Sequence, residues 1–263
     1  MLNQLNQLIY GPAPSGFDAF LVAAIVVLAS FIFFGAISSA FARLGMSATA
    51  AVAVVMISLV GSSIDIPLTR LSSAVPLVAD RFVRFHGQIY RVPVHSVFSH
   101  DTIIAVNVGG ALVPLAVCLY LALRFPRSIP YALIATIPVV FAVHHFAQLV
   151  PGFGVALPAL LPPAFAALSA LVVAMLAGGN LQHALVAAYV SGTLGTLIGA
   201  DLLNLYRIGD LGAPVASIGG AGTFDGVFLA GVFAVLLVMI PWLIAGEDRP
   251  RRDDYVEHHR AVW

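Results

Sequence analysis

From Ser128 to Ala200 the chain runs 73 residues without one Asp, Glu, Lys or Arg. At about 1.5 Å per residue, and about 20 apolar residues per bilayer crossing, that stretch has room for three membrane-spanning helices. Over the whole sequence of 263 residues, 60% are hydrophobic and 9% charged, and mean hydropathy is +1.01. A soluble domain carries about a quarter charged residues. A soluble globular enzyme, a nucleic-acid binder and a disordered chain are therefore excluded. The sequence predicts an integral membrane protein whose first partner is the lipid bilayer.

Twelve acidic residues balance twelve basic ones, all of them Arg. No net field draws the chain to nucleic acid. The absence of Lys, beside abundant Ala, Gly, Val and Pro, points to a GC-rich bacterial source and a multi-pass place in the cytoplasmic (inner) membrane. The stretch Met1–Ser15 has no basic residue, so Ala19–Ala42 reads as a retained span instead of a signal peptide. The one cysteine, Cys118, lies in an apolar run and reads as a packing residue.

Sparse charges divide the chain. Spans are expected at Ala19–Ala42, Leu44–Ile64 and Thr102–Leu123. Three more fall within 128–200, split at Pro151–Pro163 and Gly178–Gln182, and a last at Ile218–Ala245. The expected fold class is all-α: a polytopic transmembrane bundle of about seven spans, with a broken or re-entrant segment near 151–163. One integral domain covers 1–263, with an interfacial or extramembrane connection at 65–100 and a charged tail at 247–263. Seven arginines against five favour a cytoplasmic tail.

In the connection, Val78, Phe82, Phe85 and Ile89 recur at helical spacing, while Arg81, Arg84, Gln88 and Arg91 fill the other side. This predicts a helix in the headgroup layer with Arg81, Arg84 and Arg91 on anionic lipid. The competing reading is a hairpin turning at His86-Gly87. His100-Asp101 is expected to cap the third span.

Gly and Pro clusters interrupt the spans at Asn107–Pro114, Pro151–Pro163, Gly192–Gly199 and Gly219–Gly222. Freed backbone groups find no water in hydrocarbon, so such breaks belong in protein or at a cavity. Ser191, Gly195 and Gly199 at four-residue spacing form a stripe that lets helices approach closely. Gly222, Gly226 and Ala230 repeat it.

Carboxylates within apolar runs need a partner or a purpose. Asp201 follows a Gly-rich helix, with Asn204 one turn on and predicted to share its face. Asp225 stands near the start of the last span, which a connection of about a dozen residues, Leu205–Ser217, joins to the span before it. Two such carboxylates could share one proton and activate water, which makes Asp201 and Asp225 the catalytic candidates. Otherwise Asp225 caps a helix and Asp201 sits in interfacial water. Asn107, Gly219, Gly220 and Gly222 are candidate binding residues at the helix breaks. His144, His145 and Gln148 form a third polar knot, with His144 and Gln148 on one helical face. No motif with zinc spacing occurs, so no metal site and no cofactor is expected.

The stretch Gly195-Thr-Leu-Ile-Gly-Ala-Asp201-Leu-Leu-Asn204, together with Ala213–Leu229, resembles a bacterial and archaeal family of multi-span proteins known as a domain of unknown function. Asn107–Pro114 and Pro158–Pro163 match it too. The resemblance covers most of Leu44–Pro241 and implies a membrane protein without naming an activity. A looser likeness is to presenilin-like and prepilin-peptidase intramembrane aspartyl proteases, which place one Asp on each of two adjacent helices. Here Thr223-Phe224 separates Gly220-Ala221-Gly222 from Asp225, and Pro158-Ala159-Leu160 precedes both aspartates.

Three functions follow as expectations. The first is an intramembrane aspartyl-type hydrolase acting on a membrane protein substrate, with Asp201 and Asp225 as general base and acid. The second is a transporter or channel for a small solute or ion, with its site at the interrupted spans. The third is a membrane scaffold using the small-residue stripes.

Overall fold

The computed structural model describes residues 16–85, 88–150, 154–178, 180–208, 215–220 and 226–245. Among them are seven helices of more than ten residues: α1 (Gly16–Arg43), α2 (Ala48–Gly61), α3 (Val113–Arg124), α4 (Ile129–Phe146), α5 (Leu161–Leu176), α6 (Leu181–Thr196) and α7 (Gly226–Ala245). The described residues are mostly helical, in keeping with the all-α expectation. The departure is a β-ribbon, β1 (Asp65–Phe85) with β2 (Gln88–Asn107), inserted between α2 and α3.

Helix limits follow local chemistry. Ser47 caps α2 by accepting from Ala50 N, and Asn180 caps α6 by accepting from Gln182 N. Proline occupies the first turns of α3, α4 and α5, where no intrahelical N–H is required. Gly45 and Gly178 end helical segments with φ of 79° and 90°, values that favour glycine.

Helix α6 lies at the centre, with every residue from Ala184 to Thr193 buried. The small-residue stripe does its packing within this chain. A Cβ on Gly195 would meet Val139 of α4, and one on Gly199 would meet the Val140 carbonyl and Val143 of the same helix; beside the stripe, a Cβ on Gly192 would meet the Ala230 carbonyl of α7. Phe41 of α1 packs on Tyr189 of α6 and Phe228 of α7. Phe31, Ile32, Phe141, Met175 and Leu176 lie outside, exposed. So much apolar surface suits lipid and not water.

Among the described residues, three stretches are long and apolar enough to cross a membrane: Phe20–Arg43, Pro126–Phe146 and Leu181–Arg207. The remaining apolar helices, including α2, are shorter.

Several expectations are corrected here. The 78–91 segment is not a helix: it belongs to the ribbon, and Phe85 pairs with Gln88. The intervening His86-Gly87 lies outside the described residues, at the place of the alternative hairpin turn. Residues 102–107 are strand, so the third helix begins later than Thr102; its cap is Asn107 and not His100-Asp101. A short uncharged run gives strand and helix the same hydropathy, and length alone does not separate them. At the 151–163 interruption, β3 (Gln148–Val150) pairs antiparallel with β4 (Gly154–Ala156), and a turn then leads into α5 at Leu161; residues 151–153 lie outside the described residues. Gln148 stands on β3, so it shares no helical face with His144. The seventh helix starts at Gly226, and Val215–Ile218 forms β5, parallel to residues 103–106 of β2. The tail at 247–263 lies outside the described residues.

Candidate functional site

The polar groups gather where the ribbon enters the bundle. Helix α3 does not begin cleanly. Val108–Leu112 forms one wide, π-type turn ahead of it. Asn107 Oδ1 accepts from Gly110 N at 2.9 Å, while its Nδ2 donates to the Ser62 carbonyl at 2.8 Å and to Asp65 Oδ1 at 3.0 Å. This side chain is 2% exposed and three of its hydrogen bonds are made, as burial of an amide requires. Ser58 Oγ donates to the Gly109 carbonyl at 2.8 Å. Gly61 and Gly109 are in backbone contact, with no room for a Cβ on either.

The second interruption is the π-type turn Leu197–Asp201 at the end of α6. Wide turns of this kind release carbonyls from the regular ladder and recur at functional sites. Asn204 Nδ2 recovers two of them, donating to Ala200 O at 2.9 Å and Gly199 O at 3.2 Å. His144 Nδ1 lies 3.3 Å from the same Gly199 carbonyl and 3.4 Å from Asn204 Nδ2. The two contacts call for opposite tautomers: Nδ1–H donates to Gly199 O, and a bare Nδ1 accepts from Asn204 Nδ2. His145 is exposed and meets Phe146 edge-on.

Asp201 turns the other way. Its Oδ2 accepts from Gly219 N at 2.7 Å. Gly219 has φ of 79° and lies against Gly110 and Ala111 at the start of α3. Two residues earlier, Ser217 Oγ donates to Asp65 Oδ1. Asp65 and Asp201 therefore grip the two ends of Ser217–Gly219, which is wedged beside both interrupted helix ends.

The structure thus brings together Asp201, Gly219 and Asn107 of the expected residues and adds Asp65 and Ser217, which sequence reading missed. Asp65 looked like the first charge of a connection, and Ser217 carried no signal. Asn204, with His144, forms a separate cluster. Asp201 and Asn204 do not share a face, because the wide turn and the tight turn after it break the helical phase. Gly220 is exposed next to Ser217. Gly222 and Asp225 lie outside the described residues.

Chemically, the assembly offers carboxylate oxygens, an amide, a hydroxyl and backbone groups at two helix interruptions. Oxygen-rich sets of this kind suit a hard cation or a proton-bearing polar group.

Residues 59–237 match the family described as "Protein of unknown function (DUF1614)". The chain belongs to that family. The DUF1614 region opens within α2 and closes within α7, so it takes in the ribbon, both helix interruptions, Asp65, Asn107, Asp201 and Gly219. No curated protein and no solved structure matches the chain. Family membership and the apolar helices fit a membrane protein.

Proposed function

We propose that this protein is a multi-pass carrier or channel of a bacterial cytoplasmic membrane, passing a small cation or polar solute, with Asp65 and Asp201 at its gate. One observation carries the reading: two carboxylates from distant parts of the chain hold opposite ends of the same three residues, Ser217–Gly219, beside the interrupted starts and ends of α3 and α6. Interrupted helices with freed backbone groups are the usual pointer to a transport site. Withdrawal of the wedge would remove one hydrogen bond from each carboxylate together with the packing of Gly219 on the start of α3, which couples opening to ligand binding.

Purified protein in liposomes tests this. Flux of monovalent cations, protons and small polar solutes is measured under an imposed gradient. Flux above protein-free liposomes is expected, cut about tenfold or more by Asp65→Asn and by Asp201→Asn. Flux no greater than in empty liposomes for every solute sinks the proposal, as does flux indifferent to both substitutions.

The aspartyl-hydrolase reading uses Asp201 with Asp225 and is separated by Asp225→Asn beside Asp201→Asn. Cleavage of membrane-embedded peptides that Asp201→Asn and Asp225→Asn each abolish, without any flux, would replace the carrier.

A further inference from the structure

The ribbon joins two strands of 21 and 20 residues, roughly 65 Å long at about 3.3 Å per residue. Its stem is fixed: Thr102, Ile104 and Ala105 are buried, and β5 adds a third strand at residues 103–106. Beyond that point β1 and β2 pair with each other. A two-stranded ribbon of this kind is marginal in water without something to lie against.

Its edges are poor places for that contact. Along an antiparallel ladder, alternate residues direct N–H and C=O to the partner strand and the others direct them outward. Pro67 is paired with Ala105, Pro76 with Val97, and Pro93 with Asp80. The register shift between Pro67 and Thr69 puts all three prolines on one phase of the ladder. A proline costs no ladder bond only on the outward phase. Both edges then have gaps in their outward N–H rows, β1 at 67 and 76 and β2 at 93, which opposes addition of another strand.

The chemistry concentrates at the far end instead. Rungs Arg81–Val92, Phe82–Arg91, Val83–Tyr90 and Arg84–Ile89 gather three arginines over about 10 Å. Between residues 66 and 100 the only acid is Asp80. Phe82, Phe85 and Tyr90 are interleaved with the arginines. Arginine mixed with aromatic and aliphatic residues is the composition of a segment seated among lipid headgroups. A tip tethered to a bundle within the bilayer also meets that bilayer at high effective concentration.

We propose that the end of the β-ribbon, residues 81–85 and 88–92, docks on the anionic headgroups of the bilayer that holds the bundle. This proposal is independent of the carrier reading: it concerns where the arm rests, and flux does not enter its test.

The experiment uses the full chain in nanodiscs, so that each bundle sees one bilayer. A fluorophore is placed by Gln88→Cys in a Cys118→Ala background, and quenching by lipids brominated near the headgroup is recorded. Discs of phosphatidylcholine alone are compared with discs enriched in phosphatidylglycerol. Quenching is expected in the anionic disc and is expected to fall at high salt. The triple change Arg81, Arg84 and Arg91→Gln should weaken docking about a hundredfold, at about fivefold per arginine. The corresponding triple change to Lys should retain it, which separates loss of charge from loss of fold. No quenching in either disc overturns the proposal, as does quenching that ignores lipid charge and the Gln changes. Cross-linking of labels between two copies, or retention of nucleic acid by the tip in place of lipid, would assign the arm to a different partner and overturn it as well.

Discussion

The Asp201 carboxylate accepts from the backbone N–H of Gly219 at 2.7 Å across eighteen residues of sequence. Gly219 takes a φ of 79°, which turns the chain that follows this N–H out of the line of β5. A Cβ at this position would stand 2.8 Å from both the nitrogen and the Cβ of Ala111. Gly219→Ala should therefore destabilise by about 3 kcal/mol, from backbone strain and overpacking together. Asp201→Asn keeps an acceptor and should cost less than Asp201→Ala. Thermal unfolding in detergent ranks the three; equal loss for Asn and Ala would show that the Gly219 bond adds nothing to stability.

Glycines at helix crossings should differ in cost according to what they touch. A Cβ on Gly109 would fall on the Ser58 carbonyl oxygen and the Ser62 nitrogen, both backbone. One on Gly195 would meet Cγ1 and Cβ of Val139, a side-chain contact in which a rotamer change relieves Cγ1 and a small helix shift must relieve Cβ. Gly109→Ala should abolish folded protein or cost more than about 3 kcal/mol, while Gly195→Ala should cost about 1–3 kcal/mol. Yield of monodisperse protein and its unfolding midpoint check the order. Partial relief of Gly195→Ala by Val139→Ala, which removes Cγ1 and leaves Cβ, would locate the clash.

In the core, Thr193 lies beside the Cys118 thiol and the Tyr189 phenol, in contacts too loose to satisfy either hydroxyl. An unsatisfied buried donor is a penalty already present in the folded state. Tyr189→Phe and Thr193→Val should thus be neutral or raise the melting temperature. Ser58→Ala is the control: its hydroxyl donates to the Gly109 carbonyl, and its loss should cost about 1–2 kcal/mol. A lowered melting temperature in both Tyr189→Phe and Thr193→Val would reveal a bridging water at this position.

At the ribbon stem Thr102 of β2 is buried, while residues 66–70 of β1 are exposed. Replacing residues 73–100 by an Asn-Gly turn, which joins Ser72 to its rung partner Asp101, should leave the bundle's unfolding midpoint within a few degrees. A large fall would mean that the distal ribbon supports the bundle and is not a separate arm.

Much of the framework was legible in the chain. The charge-free intervals located the apolar helices, the division at Gly178–Gln182 fell between α5 and α6, and Asn107–Pro114 announced an interrupted helix through its own Gly-Gly and Pro. Asp201 drew notice as a carboxylate in an apolar run. The ribbon was harder to read. Its residues carry both helical spacing and a hairpin alternative, because alternating apolar and polar positions broken by prolines fit neither period cleanly. Asp65 and Ser217 were invisible, each an ordinary residue near an element end. Their pairing spans 152 positions, and no local pattern encodes a contact at that separation.

By itself, the sequence determined the solvent and the local choices. With 9% charged residues the chain cannot cover itself for water, and capping side chains, glycines and prolines decide locally where helices start and stop. Tertiary structure alone decided which polar groups meet. The wide turn at Leu197–Asp201 shifts the helical phase, so Asp201 points to Gly219 while Asn204 turns back toward Gly199 and His144. Register between β1 and β2 brings Asp65 beside Asn107, and β5 delivers Ser217 to the same carboxylate. These meetings depend on helix phase and strand register, which are fixed by long-range packing and not by any residue's neighbours in the chain.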